Sequence, residues 1–185
     1  MKGKIIILNG ASSTGKTTLA YTLQAKLDEI YYRLSLDDFM KMVDGQKMHD
    51  DFFIRLSEIL TTMHHTIRLF SDRGLNVIVD HVLLETPEER FSTPEIVTLL
   101  NDYPVMFVRV DCNFPELERR EQERGDRQIG QLKWQLEHMH SYDMYDLRVN
   151  TFKQDIDECV RQIEDLLCQQ DKWCAFKALY KHFTL

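Results

Sequence analysis

Along the chain, short aliphatic runs alternate with longer stretches whose apolar positions recur at helical spacing. Lys4 to Asn9 carries Ile5-Ile6-Ile7-Leu8, a continuous apolar run that predicts a strand covered on both faces. A helix is expected from about Lys16 to Asp28, and a second strand from Tyr31 to Leu36. Between Asp51 and Asp72, Phe52, Leu56, Ile59, Leu60, Met63, Ile67 and Phe70 fall on one helical face, and Gly74 ends that helix. Asn76 to Asp80 and Val105 to Val110 read as strands three and four. Pro115 opens a charged helix that Gly125 stops, and another helical stretch covers about Ile129 to Tyr142. Asp146 to Asn150 is the expected fifth strand. Thr151 and Gln154 then have capping-box spacing for a helix reaching Leu167. A last helix, about Lys172 to His182, packs on the outside or meets a partner. Strands alternating with helices predict an α/β protein, a five-stranded parallel sheet with helices on both faces. The expected organisation is one domain over 1–185, with a small helical lid at about 114–130 and an extra C-terminal helix at about 170–185.

The first strand runs into Gly10-Ala11-Ser12-Ser13-Thr14-Gly15-Lys16-Thr17-Thr18, which matches G-x-x-x-x-G-K-[ST] with a strand before it and a helix pattern after it. In such a loop the backbone N–H groups turn inward, and the following helix N-terminus adds positive potential for phosphate oxygens. Lys16 is placed to reach the outer phosphates of ATP, and the Thr17 hydroxyl to bind Mg²⁺. The architecture is therefore the three-layer fold of P-loop NTPases.

Val77-Ile78-Val79-Asp80 puts a carboxylate at the end of an apolar strand, where ligands sit in open α/β sheets, so Asp80 is a second candidate metal group. Arg120 and Arg124 share one helix face and Arg127 follows Gly125, so three guanidinium groups could close over a triphosphate. Glu116, Glu118, Glu121 and Glu123 offer the alternative of a solvated, internally paired face, to which Arg119 is assigned. Asp37 and Asp38 follow strand two, whose end is expected beside the phosphate loop. Either could receive the proton of a substrate hydroxyl, and either could instead cap the next helix.

Composition narrows the partners. With 43% apolar and 29% charged residues, the chain has the balance of a globular protein. Its net charge of −7 disfavours a nucleic-acid backbone as ligand. The aliphatic runs fall far short of the roughly 18 residues that cross a bilayer. The N-terminus enters its first strand without a leader pattern, so the cytoplasm is the expected location. Cys112, Cys159, Cys168 and Cys174 form no C-x-x-C pair and are expected as reduced, small packing residues. His64 and His65 are expected to be solvated or partly buried; Trp134, Tyr142, Tyr145, Met139 and Met144 are expected to pack in the core, with lining of the acceptor site as the alternative.

Taken together, IIILNGASSTGKTTLA at the N-terminus, LDD at 36–38, VIVDHVLLE at 77–85 and VRVDCNFPELERREQERGDR at 108–127 resemble the chloramphenicol 3-O-phosphotransferase-like family of P-loop kinases. The resemblance implies ATP-dependent transfer of the γ-phosphoryl group to an alcohol of an antibiotic or similar small molecule, with Asp37 as general base. It fades over residues 41–70 and does not reach the last fifteen or so. The sequence departs from the family at His81, where a second acid follows the aspartate of strand three. It departs again around Phe39, Met40, Met42, Met48 and Phe53, where the acceptor pocket is expected. A different acceptor, such as a nucleoside, sugar or cofactor precursor, and a nucleotide-dependent regulatory ATPase are the competing readings, and the oligomeric state is left open.

Overall fold

The computed structural model describes residues 1–50, 52–84, 92–124, 131–139 and 142–184. Strands β1 (Ile5–Asn9), β2 (Tyr31–Ser35), β3 (Asn76–His81), β4 (Val105–Asp111) and β5 (Leu147–Asn150) form one parallel sheet in the order β2-β3-β1-β4-β5. Helices α1 (Lys16–Lys26), α2 (Leu36–Met40), α3 (Gly45–Asp50), α4 (Phe52–Asp72), α5 (Ser92–Leu100), α6 (Phe114–Arg124), α7 (Gln131–His138), α8 (Ile156–Leu167) and α9 (Ala175–Thr184) complete the described elements.

The two-residue period of the central strands divides the core. Ile6, Leu8, Ile78, Met106 and Val108 face a layer that includes Leu19 and Leu23 of α1 and Val160 and Ile163 of α8. Ile5, Ile7, Val77, Val79 and Phe107 face the layer built from α4, α5 and α9. Every residue of β1 is buried, which is why its apolar run is unbroken.

Four expectations change. The helix after β5 is capped not by Thr151 but by Asp155, whose side chain accepts a hydrogen bond from the Glu158 N–H at 2.7 Å. Helix α5, in a stretch to which the sequence pattern assigned no element, buries Ile96, Val97 and Leu100. The final helix is core rather than appendage: Ala175, Phe176 and Leu179 are buried, and Phe176 meets Phe107 edge to face at 5.1 Å. His64 is fully buried instead of solvated. Its Nε2 lies 3.0 Å from His81 Nε2 and its Nδ1 3.2 Å from Glu95 Oε2. Among the cysteines, Cys159 packs in the core as expected, whereas Cys168 and Cys174 are exposed; all four are free thiols.

Candidate functional site

The phosphate loop is shaped by its backbone. Ser13 (φ 64°) and Gly15 (φ 90°) both take the left-handed conformation that turns successive N–H groups to one side. Gly10 admits no side chain, since a Cβ there would stand 2.3 Å from the Val110 carbonyl oxygen. Ala11, Ser12, Ser13 and Thr14 are buried, and Thr14 Oγ1 donates to the Ala11 carbonyl at 2.9 Å. Lys16, only 6% exposed, donates from Nζ to that same carbonyl at 2.8 Å. Ser13 Oγ is buried without a hydrogen-bond partner. A buried hydroxyl with no partner and a buried ammonium on the loop fit an anionic ligand.

At the start of α1, Thr17 Oγ1 donates to Asp80 Oδ2 at 2.6 Å, and Lys16 Nζ stands 4.0 Å from Asp80 Oδ1. The parallel register places Asp80 opposite Leu8, two residues before Gly10, so the two motifs meet at the carboxyl edge of the sheet. A hydroxyl and a carboxylate so paired are hard oxygen donors of the type that hold Mg²⁺.

Asp37 and Asp38 separate by environment. Ser35, rather than either aspartate, caps α2, its side chain accepting from the Asp38 N–H at 3.2 Å. Asp38 pairs with Arg33 at 2.7 Å and with Lys41 at 3.7 Å. Although partial burial opposes it, the hydrogen bond from Arg33 holds the Asp38 carboxyl below its ordinary value. Asp37 lines the cleft together with Lys16, Thr17, Thr18 and Asp80. Strand β3 intervenes between the end of β2 and the phosphate loop, so Asp37 reaches the site across one strand rather than from the neighbouring one.

Arg120 lies against the loop: Nη1 donates to the Ser13 carbonyl at 3.2 Å and to Thr151 Oγ1 at 3.4 Å, and Nε to Glu116 at 2.8 Å. Hydrogen bonds from Arg119 and Arg120 hold the Glu116 carboxyl down to about 2. Arg119 stays on the solvated face with Glu116 and Glu123, as expected. The Arg124 side chain and Arg127 lie outside the described residues.

Apolar side chains line the same cleft as Asp37 and Asp80, and its volume is about 1620 Å³. That exceeds the roughly 300–1,000 Å³ of a site for one drug-sized molecule. Met40, Met48 and Phe53 line it as the sequence suggested, joined by Leu56, Leu60 and Trp134. Phe39 is core, and Met42 is exposed outside the lining. Trp134, expected in the core, instead stands at the cleft, stacked on His138 with ring centroids 4.6 Å apart. Tyr142, Tyr145 and Met144 do pack against the core. His81, the departure from the family pattern, also borders the cleft, and burial, reinforced by His64, holds its pKa well below the ordinary value.

Sequence reasoning missed two contacts to the phosphate loop. Thr151 Oγ1 donates to the Thr14 carbonyl at 2.7 Å, and the Ser12 N–H donates to Gln135 Oε1 at 2.7 Å. The first was misread as helix capping. The second joins residues 123 positions apart and has no signature in periodicity or spacing.

The chain resembles the "Putative O-phosphotransferase" of Mycobacterium tuberculosis strain H37Rv, at 27% identity over 206 aligned positions covering 98% of this chain and 90% of that one. Among solved structures, the fold is shared with a Mycobacterium tuberculosis APS kinase (TM-score 0.67, 23% identity, 90% of this chain and 98% of that one). It is also shared with a Bacteroides thetaiotaomicron shikimate kinase (TM-score 0.62, 16% identity, 89% and 98%). The profile of the family described as "chloramphenicol phosphotransferase-like protein" matches residues 3–168. Motifs, sheet order and relatives agree, and the chain is a P-loop phosphotransferase that belongs to the chloramphenicol phosphotransferase-like family.

Proposed function

We propose that this protein transfers the γ-phosphoryl group of ATP, with Mg²⁺, to a hydroxyl of a small, uncharged and largely apolar molecule. The observation that carries the reading is the shared cleft: the phosphate loop, Asp37 and a set of apolar side chains all line one cavity.

In this reading residues 10–18 hold the triphosphate through backbone N–H groups. Lys16 neutralises its outer phosphates, and Arg120 covers them from α6. Thr17 and Asp80 would hold Mg²⁺, which would supply charge neutralisation for the triphosphate. Asp37 orients the acceptor hydroxyl and takes its proton as the alcohol oxygen bonds to phosphorus. The bond to the bridging oxygen breaks, and ADP leaves with that electron pair.

The lining of the cavity argues for the acceptor class. Met40, Val43, Met48, Phe53, Leu56 and Trp134 provide an apolar wall; of the cations among the described lining residues, Lys16 and Arg120 lie on the phosphate loop, and Lys41 is 77% exposed and reaches Asp38 at 3.7 Å. A sulfate, carboxylate or phosphate on the acceptor would lose its hydration there without a buried partner. Chloramphenicol is one candidate that fits these terms.

The test is a mass-spectrometric screen for phosphorylated products, using ATP with uncharged aryl and alkyl alcohols, chloramphenicol included, against anionic alcohols such as shikimate and gluconate. Phosphorylated products are expected from the uncharged set. Products from the anionic set alone would overturn the acceptor class, and ATP consumption that no alcohol changes would favour a regulatory ATPase.

A further inference from the structure

Beyond the loop, lid and base lies a residue that no motif marks. Gln135 is 6% exposed, borders the cleft, and accepts the Ser12 N–H on its Oε1 at 2.7 Å. A backbone N–H can only donate, so the amide must face the loop with its oxygen, and its orientation is fixed. Nε2 therefore remains as the donor end of Gln135, with no hydrogen-bond partner among the described residues. The helix carrying it is itself anchored on the phosphate loop. Leu132, three residues earlier on the same face of α7, is buried in a cluster with Ala11 and Leu117, and Met139 packs against that cluster. The Leu132 N–H donates to Glu121 of α6 at 2.9 Å, tying α7 to the lid helix.

We propose that Gln135 is a further catalytic residue of the phosphoryl transfer: held by Ser12, its Nε2 donates to an oxygen of the γ-phosphoryl group as that group passes to the acceptor. This rests on the phosphotransferase reading above. A donor whose orientation is set in advance by a buried hydrogen bond needs no reorganisation when charge develops, the condition under which such contacts act most strongly. The same contact couples the reacting phosphate to α7, where the neighbouring Trp134 borders the same cleft.

The experiment compares wild type, Gln135→Ala and Gln135→Glu for calorimetric binding of Mg²⁺–AMP-PNP, for binding of Mg²⁺–ADP–fluoroaluminate as a mimic of the transferring group, and for acceptor-independent ATP turnover. Glutamate keeps an oxygen for Ser12 but has no N–H to donate. For Gln135→Ala, AMP-PNP affinity is expected to stay within about threefold, while fluoroaluminate affinity and turnover each fall by about 10²-fold, the loss typical of removing one such donor. Gln135→Glu is expected not to restore either. Tighter AMP-PNP binding by Gln135→Ala with unchanged turnover would overturn the proposal, making Gln135 a plug that nucleotide displaces. Full recovery in Gln135→Glu would also overturn it, reducing Gln135 to a tie that holds α7 in place. If wild type binds no AMP-PNP, the phosphotransferase reading fails and takes this proposal with it; wild-type binding with Gln135→Ala unaltered in every measurement sinks the Gln135 role alone.

Discussion

Asp37 and Asp38 are adjacent in sequence and equivalent in type, yet their surroundings differ. Asp38 is engaged by Arg33 and Lys41, whereas Asp37 borders the cleft with Lys16 and Asp80. Asp37→Asn is therefore expected to lower kcat by about 10²–10⁴-fold, the contribution of a positioned acid or base, while AMP-PNP affinity stays near wild type. Retained turnover would remove Asp37 from the base role. Spacing alone left these two aspartates equivalent and only the family resemblance favoured Asp37, because the structural distinction comes from Arg33 and from the Ser35 cap, and neither belongs to a motif. His81 shows the opposite failure: its position was legible as a departure, but its burial against His64 was not, because a buried histidine pair between a helix and a strand leaves no local trace. Its pKa is depressed in the folded state by burial. The unfolded chain thus binds the extra proton below about 6.5, and stability present above that pH is lost as pH falls. Urea unfolding at pH 7.5, 6.5 and 5.5 should show stability declining below pH 6.5 by up to about 1.4 kcal/mol per pH unit for this one group. A profile flat down to pH 5.5 would contradict it.

At the scale of elements, the phosphate loop is held from outside as well as shaped from within. The turn after β5 reaches it through Thr151, which donates to the Thr14 carbonyl and accepts from Arg120. Gly15 faces the same threonine, a Cβ there falling 3.4 Å from Thr151 Cγ2. The sequence placed the P-loop, the aspartate of β3 and the charged helix α6 correctly because each is a local pattern. It misplaced the cap of α8 because Thr151 and Gln154 have capping spacing, while tertiary contact recruits Thr151 to the loop and Gln154 accepts the Asn150 N–H at 2.9 Å. Asp155 then takes the cap. Replacing it by alanine should cost about 0.5–2 kcal/mol in denaturant unfolding, the usual cost of losing such a cap. Thr151→Val should leave α8 intact but loosen the loop, so an unfolding cost equal to that of Asp155→Ala would argue against this division of labour.

On the scale of the whole molecule, the family match ends at residue 168, but the core does not. Helix α9 supplies Ala175, Phe176 and Leu179 to the layer that covers β4 on its α5 side, and Trp173 enters the opposite layer. The Cys174 and Ala175 N–H groups donate to Asp146 Oδ1 at 2.7 and 2.9 Å, joining this tail to the turn before β5. The alternation of strands and helices was enough to give the layered parallel sheet. It could not assign the tail, because a helical period says which face is apolar and nothing about what covers it. Phe176→Ala should destabilise the protein by about 3–5 kcal/mol in thermal or denaturant unfolding, as for a large aromatic removed from a packed core. A loss under about 1 kcal/mol would mean that the tail is peripheral.

The central claim is that residues 10–17 form an anion nest for a nucleoside triphosphate and that Lys16, Thr17 and Asp80 complete it. Isothermal titration of the protein with AMP-PNP, with and without Mg²⁺ and repeated on Lys16→Ala, tests it most directly. The account predicts magnesium-assisted binding within the roughly 1 μM–1 mM range usual for enzyme substrates, severely weakened in the Lys16→Ala variant. Absence of binding by the wild-type protein, or binding indifferent to both magnesium and Lys16, would contradict it.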